Sequence, residues 1–385
     1  MRGPGGCNRG WARAVVAALA FAAGTASAAE APSGAAPKDI TFFAVNNVFA
    51  TPSFVAVEDG FWAKRGLNVK LKLVTSGREV TEGLQAGEAQ LGGASFSTTT
   101  ASARASGNML KGVIPYFNDA GYIALASGRA IIGRRDRGIV ADDPRSMIGK
   151  KVAYLTGSTQ DVYLRAWLAR NGIGFGQIQV VSVPVPDMPI TITQGLVDAA
   201  VPWEPYTAQM VRELGPNAVE VSRGAAGFVT DLIGVVANEK YIDTHQDLLE
   251  PFALGLAEAA QAVRRDPERA AEIATWYLDG LKLVDAVDAI KHLTFDPRVS
   301  LCTDIGLVET GNDMVKDGLI KMAQPFVADD FRDLRVLAKI HRAAPRAVQR
   351  FAAAAADARR LQRRAALNTP GGSRGKDRHR ASAFD

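Results

Sequence analysis

One structural unit repeats along the body of this 385-residue chain. An apolar run of strand length is followed by a loop of small, amide or hydroxyl residues, and then by a helical pattern of apolar residues. Residues 40–45 begin the series, and a second complete set of units starts at residue 151. Strands and helices that alternate at this spacing favour an α/β architecture with largely parallel sheets.

The repeated units fall into two groups, separated by a segment of different composition. The first group ends with the apolar run 122–126, and the second is followed by the apolar run 232–237. Residues 128–146 are rich in Arg and Asp, and we predict them to be loop-rich. A chain that leaves the first group near 122 must return near 232, so we predict that these two runs cross between two lobes. Residues 245–341 are predicted to be helical, with prolines at the breaks.

The first 28 residues have the three parts of a secretory signal peptide. A basic start is followed by the apolar run 14–23 and by the small residues Ala26, Ser27 and Ala28. An N-terminal anchor is the alternative, but the run is shorter than the ~20 residues that span a bilayer. We expect residues 1–28 to be removed on export to the periplasm, which would leave a mature protein without a membrane span.

The last residues, 342–385, form a basic tail. We predict a helix to about residue 367 and disorder beyond Pro370. Such a tail either binds a polyanion or a membrane surface, or is simply solvated. The formal net charge of the chain is +5, but both ends are so basic that the body from 29 to 341 is acidic. Because an acidic body repels phosphate backbones, we expect no nucleic-acid partner.

No motif in the sequence indicates catalysis or metal binding. The four histidines lie far apart, and neither a C-x-x-C nor an H-x-x-x-H pattern occurs. The glycines at 172, 174 and 176 resemble half of a dinucleotide fingerprint, but they follow a predicted helix and the third comes one residue early. Loss of the leader with Cys7 would leave Cys302 without an intramolecular partner. We expect no enzymatic activity, no cofactor and no metal.

Polar side chains collect where predicted strands end and helices begin. In open α/β sheets, ligands bind at the carboxyl ends of strands, and helix N-termini attract anions. N-capping is the alternative role for these side chains. The residues that we expect to contact a ligand are Asn46, Asn47, Thr51, Ser53, Ser76, Gly77, Ser95, Ser97, Thr98, Tyr116, Thr156, Ser158, Thr159, Trp203, Glu204 and Asp231.

Three of these residues also indicate the character of the ligand. Trp203 would offer a flat apolar surface, unless it belongs to the core. Glu204 and Asp231 would favour an amine or a ring N–H on the ligand, or else form salt bridges. The predicted junctions are five, at residues 46–53, 76–77, 95–98, 156–159 and 203–206, and Arg78, directly after the second, is the only cation at them. We therefore expect an organic anion or a heterocycle instead of a small strong anion such as nitrate.

Four stretches of sequence, taken together, resemble one family. They are TPSFVAVEDGFWAKRGLNVKL, LQAGEAQLGGAS, IGKKVAYLTGST and AAVPWEPY, within a similarity that runs from about residue 40 to about residue 283. They are similar to the substrate-binding proteins of ABC importers for sulfonates, taurine, nitrate and thiamine-precursor pyrimidines. The resemblance implies an α/β, type II periplasmic-binding-protein fold, with two α/β lobes joined by two crossover strands and a helical C-terminal segment.

The resemblance also implies domain boundaries and a function. Residues 38–125 and 232–341 would form lobe 1, and residues 126–231 would form lobe 2. We expect a periplasmic monomer that captures a small organic solute, sulfonate, carboxylate or pyrimidine-like, and delivers it to an ABC permease and its ATPase. One alternative is an enzyme on the same fold acting on a small heterocycle or sulfur compound, although the Cys-rich segment of a pyrimidine synthase relative is absent. Another is a sensor that presents a solute to a receptor.

Overall fold

Two five-stranded sheets organise the chain in this computed structural model, which describes residues 36–119, 128–224, 229 and 231–343. The first sheet has the strand order β2 (Leu67–Val74), β1 (Lys38–Val45), β3 (Leu91–Ser95), β10 (Asp231–Asn238) and β4 (Leu110–Asp119). The second has the order β7 (Gln179–Ser182), β6 (Lys151–Tyr154), β8 (Ala199–Ala200), β5 (Ala130–Arg134) and β9 (Ala218–Arg223).

Each sheet is parallel at one side and antiparallel at the other. In the first sheet β1 pairs in parallel with β2 and β3, and β10 runs antiparallel to β3 and β4. In the second, β6 pairs in parallel with β7 and β8, and β5 runs antiparallel to β8 and β9. The parallel pairs are those joined by the predicted strand–helix units, and the antiparallel strands are those next to the passages between the sheets.

Twelve helices connect and cover the strands within the described residues. They are α1 (Thr51–Glu58), α2 (Gly77–Ala86), α3 (Thr98–Ala105), α4 (Thr159–Arg170), α5 (Met188–Thr193), α6 (Tyr206–Leu214), α7 (Glu239–Thr244), α8 (Gln246–Arg265), α9 (Pro267–Tyr277), α10 (Leu283–Lys291), α11 (Leu301–Lys316) and α12 (Arg335–Ala343). The predicted helical character of residues 245–341 is confirmed by α8 to α12. None of the described helices is long and apolar enough to cross a membrane.

The structure corrects two sequence predictions. Residues 128–146 are not only loop, because they contain β5, which lies inside the second sheet between β8 and β9. Its sequence, AIIGR, is short and is followed directly by charged residues, so the strand was not recognised from the sequence. Residues 232–237 lie within β10, in the interior of the first sheet, so the chain has already returned when this strand begins. In addition, each sheet has antiparallel pairs, made by β10 in the first and by β5 in the second, where the repeat predicted largely parallel sheets.

Three predicted segments lie outside the described residues. They are the signal peptide at 1–28, the first crossing at 122–126 and the basic tail from residue 344 onward.

Aromatic packing joins the first sheet to the helices that follow it. Phe42 of β1 lies 6.3 Å from Trp62 between ring centroids, and Trp62 lies 4.6 Å from Phe252 of α8. The Trp62 indole N–H donates to the backbone carbonyl of Phe252 at 2.9 Å. Gly255, one turn further along α8, lets the helix approach, because a Cβ there would lie 2.6 Å from the Trp62 ring. The late helices are thus fixed against the first sheet.

A glycine in β10 gives the first testable prediction. A Cβ on Gly234 would lie 2.2 Å from the carbonyl oxygen of Ile114 and 2.4 Å from Cα of Pro115, and both atoms are backbone. We expect Gly234→Ala to lower the free energy of unfolding by about 1–3 kcal/mol, the range for overpacking a dense interior. Chemical denaturation measures this value.

Gly176→Ala is the matched control, because no atom lies within 4 Å of a Cβ at that position. Its effect should stay within about 0.5 kcal/mol, as for surface substitutions that touch no special feature. Equal free energies of unfolding for the two variants would contradict the close packing of β10 against β4.

Candidate functional site

A cavity of about 790 Å³ lies between the two sheets. Its walls come from both halves of the chain, where strands of each sheet give way to loops and helix starts. The wall includes Asn47, Phe49, Ser76, Gly77, Ser95, Thr98, Thr99 and Tyr116 around the first sheet, and Arg129, Leu155, Thr156, Ser158, Thr159, Gln160 and Trp203 around the second. Its volume is in the range of pockets that enclose small organic molecules.

Three helices begin at this wall. Ser76 Oγ accepts from the N–H of Glu79 at the start of α2, and Ser95 Oγ accepts from the N–H of Thr98 at the start of α3. Ser158 Oγ accepts from the N–H of Gln160 at the start of α4. Each helix begins with four N–H groups that lack an intrahelical acceptor, so a cap on one leaves others for a ligand. Three positive helix ends therefore meet at one cavity.

The starts of α2 and α3 are held close to each other by a glycine. A Cβ on Gly77 would lie 2.3 Å from the hydroxyl oxygen of Thr99. The absence of a side chain at Gly77 thus allows the first turn of α2 to pack directly on the first turn of α3. This approach concentrates the N–H groups of both helices at the first-sheet wall.

A buried carboxylate lies directly behind the start of α3. Asp231, the first residue of β10, accepts hydrogen bonds from Ser95 Oγ at 2.6 Å and from Ser97 Oγ at 2.9 Å. Its second oxygen accepts from Arg129 Nη2 at 2.9 Å, and the side chains of both charged residues are almost fully buried. Burial raises the pKa of Asp231, against the opposing influence of Arg129 and the two hydroxyls.

This ion pair links the two sheets. Asp231 belongs to the first sheet, whereas Arg129 directly precedes β5 of the second and forms a backbone bridge with Trp203. Arg129 and Trp203 both line the cavity. The pair therefore sets where the second-sheet wall stands relative to the start of α3.

Two buried N–H donors at the second-sheet wall have no acceptor among the described residues. They are the side-chain amide nitrogen of Gln160 and the indole nitrogen of Trp203. Gln160 is 0% exposed and Trp203 is 9% exposed. The carbonyl oxygen of the Gln160 side chain is engaged, since it accepts from the Thr159 hydroxyl at 2.8 Å. An unsatisfied buried donor costs about 1–3 kcal/mol.

The rest of the wall is partly apolar. Phe49, Tyr116, Leu155 and Ile233 contribute to it. Burial raises the pKa of the Tyr116 hydroxyl far above its ordinary value, so this residue stays neutral at physiological pH. At the rim, Arg78 donates to Glu82 at 2.8 Å, and both side chains are exposed.

The structure brings ten of the sixteen predicted site residues to this cavity. They are Asn47, Ser76, Gly77, Ser95, Thr98, Tyr116, Thr156, Ser158, Thr159 and Trp203.

The other six predicted residues lie away from the cavity wall. Asn46 is half-buried at the end of β1, while Thr51 and Ser53 are buried in α1. Ser97 and Asp231 lie behind Ser95, as described above. Glu204 is buried and accepts from Arg223 Nη1 at 2.7 Å, so it forms the salt bridge that was the alternative to a ligand contact. Burial raises the pKa of Glu204, although Arg223 opposes this.

Sequence reasoning missed Arg129 and Gln160. Arg129 lies at the edge of the predicted loop-rich segment. Its place at the cavity follows from β5, which it directly precedes and which the sequence did not predict. Gln160 follows Thr159 in the predicted loop-to-helix junction, and its polar side chain at the second helical position was the available signal. With Arg129 in the wall, Arg78 is not the only cation at the cavity.

The described residues contain no group of three or more His, Cys, Asp or Glu side chains placed to hold a metal ion.

Comparison with solved structures shows the fold. The periplasmic aliphatic sulphonate binding protein from Escherichia coli is 17% identical, with a TM-score of 0.65 over 78% of this chain and 99% of that chain. The periplasmic nitrate-binding protein from Synechocystis PCC 6803 is 14% identical, with a TM-score of 0.65 over 83% of this chain and 91% of that chain. The expected periplasmic-binding-protein fold class is confirmed.

Comparison with known sequences shows the family. A binding protein of Brucella abortus is 24% identical over 263 residues, which is 65% of this chain and 75% of that protein. The taurine-binding periplasmic protein of Escherichia coli is 24% identical over 220 residues, 57% of this chain and 65% of that protein. The NMT1-like family matches residues 33–278, more than half of the sequence. The chain belongs to the NMT1-like family.

Proposed function

We propose that this protein is an extracytoplasmic solute-binding protein that captures a small organic solute and delivers it to an ABC permease. The observation that carries the proposal is the cavity of about 790 Å³ whose walls come from both sheets. The relatives named above as binding sulphonates, taurine and nitrate support the same role. The periplasmic location and the permease partner with its ATPase belong to this proposal, and so does a monomeric state.

Two lobes that hold a solute between them would explain how the site works. We assign residues 38–125 and 232–341 to lobe 1 and residues 126–231 to lobe 2. A solute that contacts both walls favours the arrangement in which the walls are closest, because only there are all its contacts made. Closure would also exclude water, which strengthens each remaining hydrogen bond.

The composition of the wall favours binding over catalysis. The described residues that line the cavity include no His and no Cys. The hydroxyl of Ser95 donates to Asp231, and neither residue contacts a histidine in the described part of the chain. A serine nucleophile needs an adjacent general base that is held in place by a third group. The hydroxyls at this wall instead serve helix starts, so we propose a binding protein and not an enzyme.

Retention of a solute on purification tests the proposed function. A ligand enclosed by two walls dissociates slowly, so protein exported in a bacterial host should carry a molecule of a few hundred daltons. Native mass spectrometry should show this added mass, and unfolding should release it. In a thermal-shift screen of organic anions, at least one solute should raise the melting temperature of the emptied protein. No added mass and no stabilising solute in the screen would contradict the proposal.

Removal of the indole at the cavity tests the location of the site. We expect Trp203→Ala to weaken solute affinity by roughly 1–3 kcal/mol, because a buried aromatic contact and an N–H donor are lost. Isothermal titration calorimetry measures the affinity. Trp203 also packs in the core, so the free energy of unfolding should fall as well, and the assay must be run at a temperature where the variant is folded.

Trp276→Ala is the matched control. Trp276 is 57% exposed and lies on α9, outside the cavity wall. This variant should bind solute as the unmodified protein does. If the folded Trp203→Ala protein bound with unchanged affinity, the indole would be a core residue only and the site would be misplaced.

A further inference from the structure

We propose that the cavity is built for an organic dianion, with acceptor oxygens at both ends of the molecule. One end would bind at the starts of α2 and α3, and the other would bind at Gln160 and Trp203, beside the start of α4. This inference rests on the proposed function and specifies its ligand. It distinguishes the protein from binders of zwitterions, whose second end is an ammonium group.

The first-sheet wall is suited to one anionic group. The first turns of α2 and α3 pack together through Gly77 and Thr99. The hydroxyl oxygens of Ser76 and Ser95 each accept from one backbone N–H at these helix starts. The remaining first-turn N–H groups and the positive ends of two helices favour a carboxylate or sulfonate.

The second-sheet wall contains two residues with a buried donor nitrogen. The Gln160 amide nitrogen and the Trp203 indole nitrogen are buried, and neither has an acceptor among the described residues. Both residues line the cavity, beside the start of α4 and the Arg129 guanidinium. Native proteins leave few buried donors unsatisfied, and functional sites are among the places where they do. An oxygen-rich group on the ligand would supply the missing acceptors.

Among the described residues, the buried part of the wall offers no carboxylate that is available to a cationic group. Glu82 is the acidic residue that lines the cavity, and it lies exposed at the rim, where it accepts from Arg78. Both oxygens of Asp231 are occupied, by Ser95 and Ser97 on one side and by Arg129 on the other. Glu204 pairs with Arg223. A buried ammonium group would therefore lose its hydration without gaining a partner, which is costly.

Other residues of the wall suit an apolar spacer. Phe49, Tyr116 and Ile233 line the cavity together with the indole of Trp203. Aromatic faces of this kind pack well on a ring or a short hydrocarbon chain. The arrangement as a whole thus matches a molecule with two anionic ends and an apolar middle.

Two matched series of ligands test the inference on the emptied full-length mature protein at pH 7. The aromatic series is terephthalate, 4-methylbenzoate and 4-(aminomethyl)benzoate, and the aliphatic series is sulfoacetate, ethanesulfonate and taurine. Members of a series share one anionic end and differ at the other. In the series whose length fits the cavity, we expect the dianion to bind at least about 10-fold more tightly than the zwitterion, as measured by calorimetry.

The substitution Gln160→Glu tests the role of the donor. Glu keeps the oxygen that accepts from Thr159 and replaces the N–H donor by a second oxygen. We expect the affinity for the dianion to fall at least about 10-fold, while the affinity for the zwitterion stays unchanged or rises. Gln177→Glu is the control, because Gln177 is exposed, lies outside the wall and uses only its oxygen, which accepts from the Gly174 N–H.

The outcomes separate this inference from the proposed function. A zwitterion that binds as tightly as its dianion would overturn the inference, and so would an equal loss of both ligands in Gln160→Glu. A retained natural solute with only one acceptor end would overturn it as well, yet leave the solute-binding role intact. Only a protein that retains no solute and is stabilised by none in the screen would overturn the proposed function itself.

Discussion

The buried ion pair between Arg129 and Asp231 is the contact on which the rest of the site depends. The hydrogen bond from Arg129 Nη2 to Asp231 Oδ2 joins residues that are 102 positions apart in the sequence. Through Ser95 and Ser97 the carboxylate holds the start of α3, and through the backbone bridge to Trp203 the arginine holds the opposite wall. Removing one partner from such a pair typically costs about 3–5 kcal/mol, because the other charge stays buried.

The position of this pair in the chain is compatible with the closure of the two walls that we propose. Arg129 follows the first passage of the chain from the first sheet to the second, and Asp231 follows the return passage. If one sheet rotated relative to the other, the atoms close to both passages would be displaced least. On the proposed closure, the pair would therefore persist while residues farther from it, such as those at the starts of α2 and α4, approached each other around a solute. A buried ion pair that stays in place is therefore compatible with the proposed closure of the cavity.

The repeating strand–loop–helix pattern predicted most of the fold, because hydrophobic periodicity and helix caps are local. It also predicted the cavity wall wherever a residue lies at a local junction, as Ser76, Thr98 and Ser158 do. It did not predict β5, whose five residues take their structure from neighbours distant in sequence. Because β5 was not predicted, Arg129, which directly precedes it and lines the cavity, was not predicted either.

The sequence pattern also did not show which side chain each buried carboxylate pairs with. Asp231 and Glu204 were expected near a ligand because of the loops they occupy, but their roles depend on Arg129 and Arg223, which only the folded chain brings to them. Thr51 and Ser53 were expected at the site because they lie between β1 and the predicted helix. In the structure they belong to α1, and both are buried within it. Burial of this kind depends on how a helix packs, and no junction motif encodes it.

A crystal structure of the protein with the solute that it retains would show whether the solute binds between the two sheets. We expect an organic anion there, with acceptor atoms about 3 Å from first-turn N–H groups of α2 or α3 and from the side-chain nitrogens of Gln160 or Trp203. The ion pair between Arg129 and Asp231 should remain intact beneath it. A solute bound outside this cavity, or one whose contacts come from a single sheet, would contradict the account.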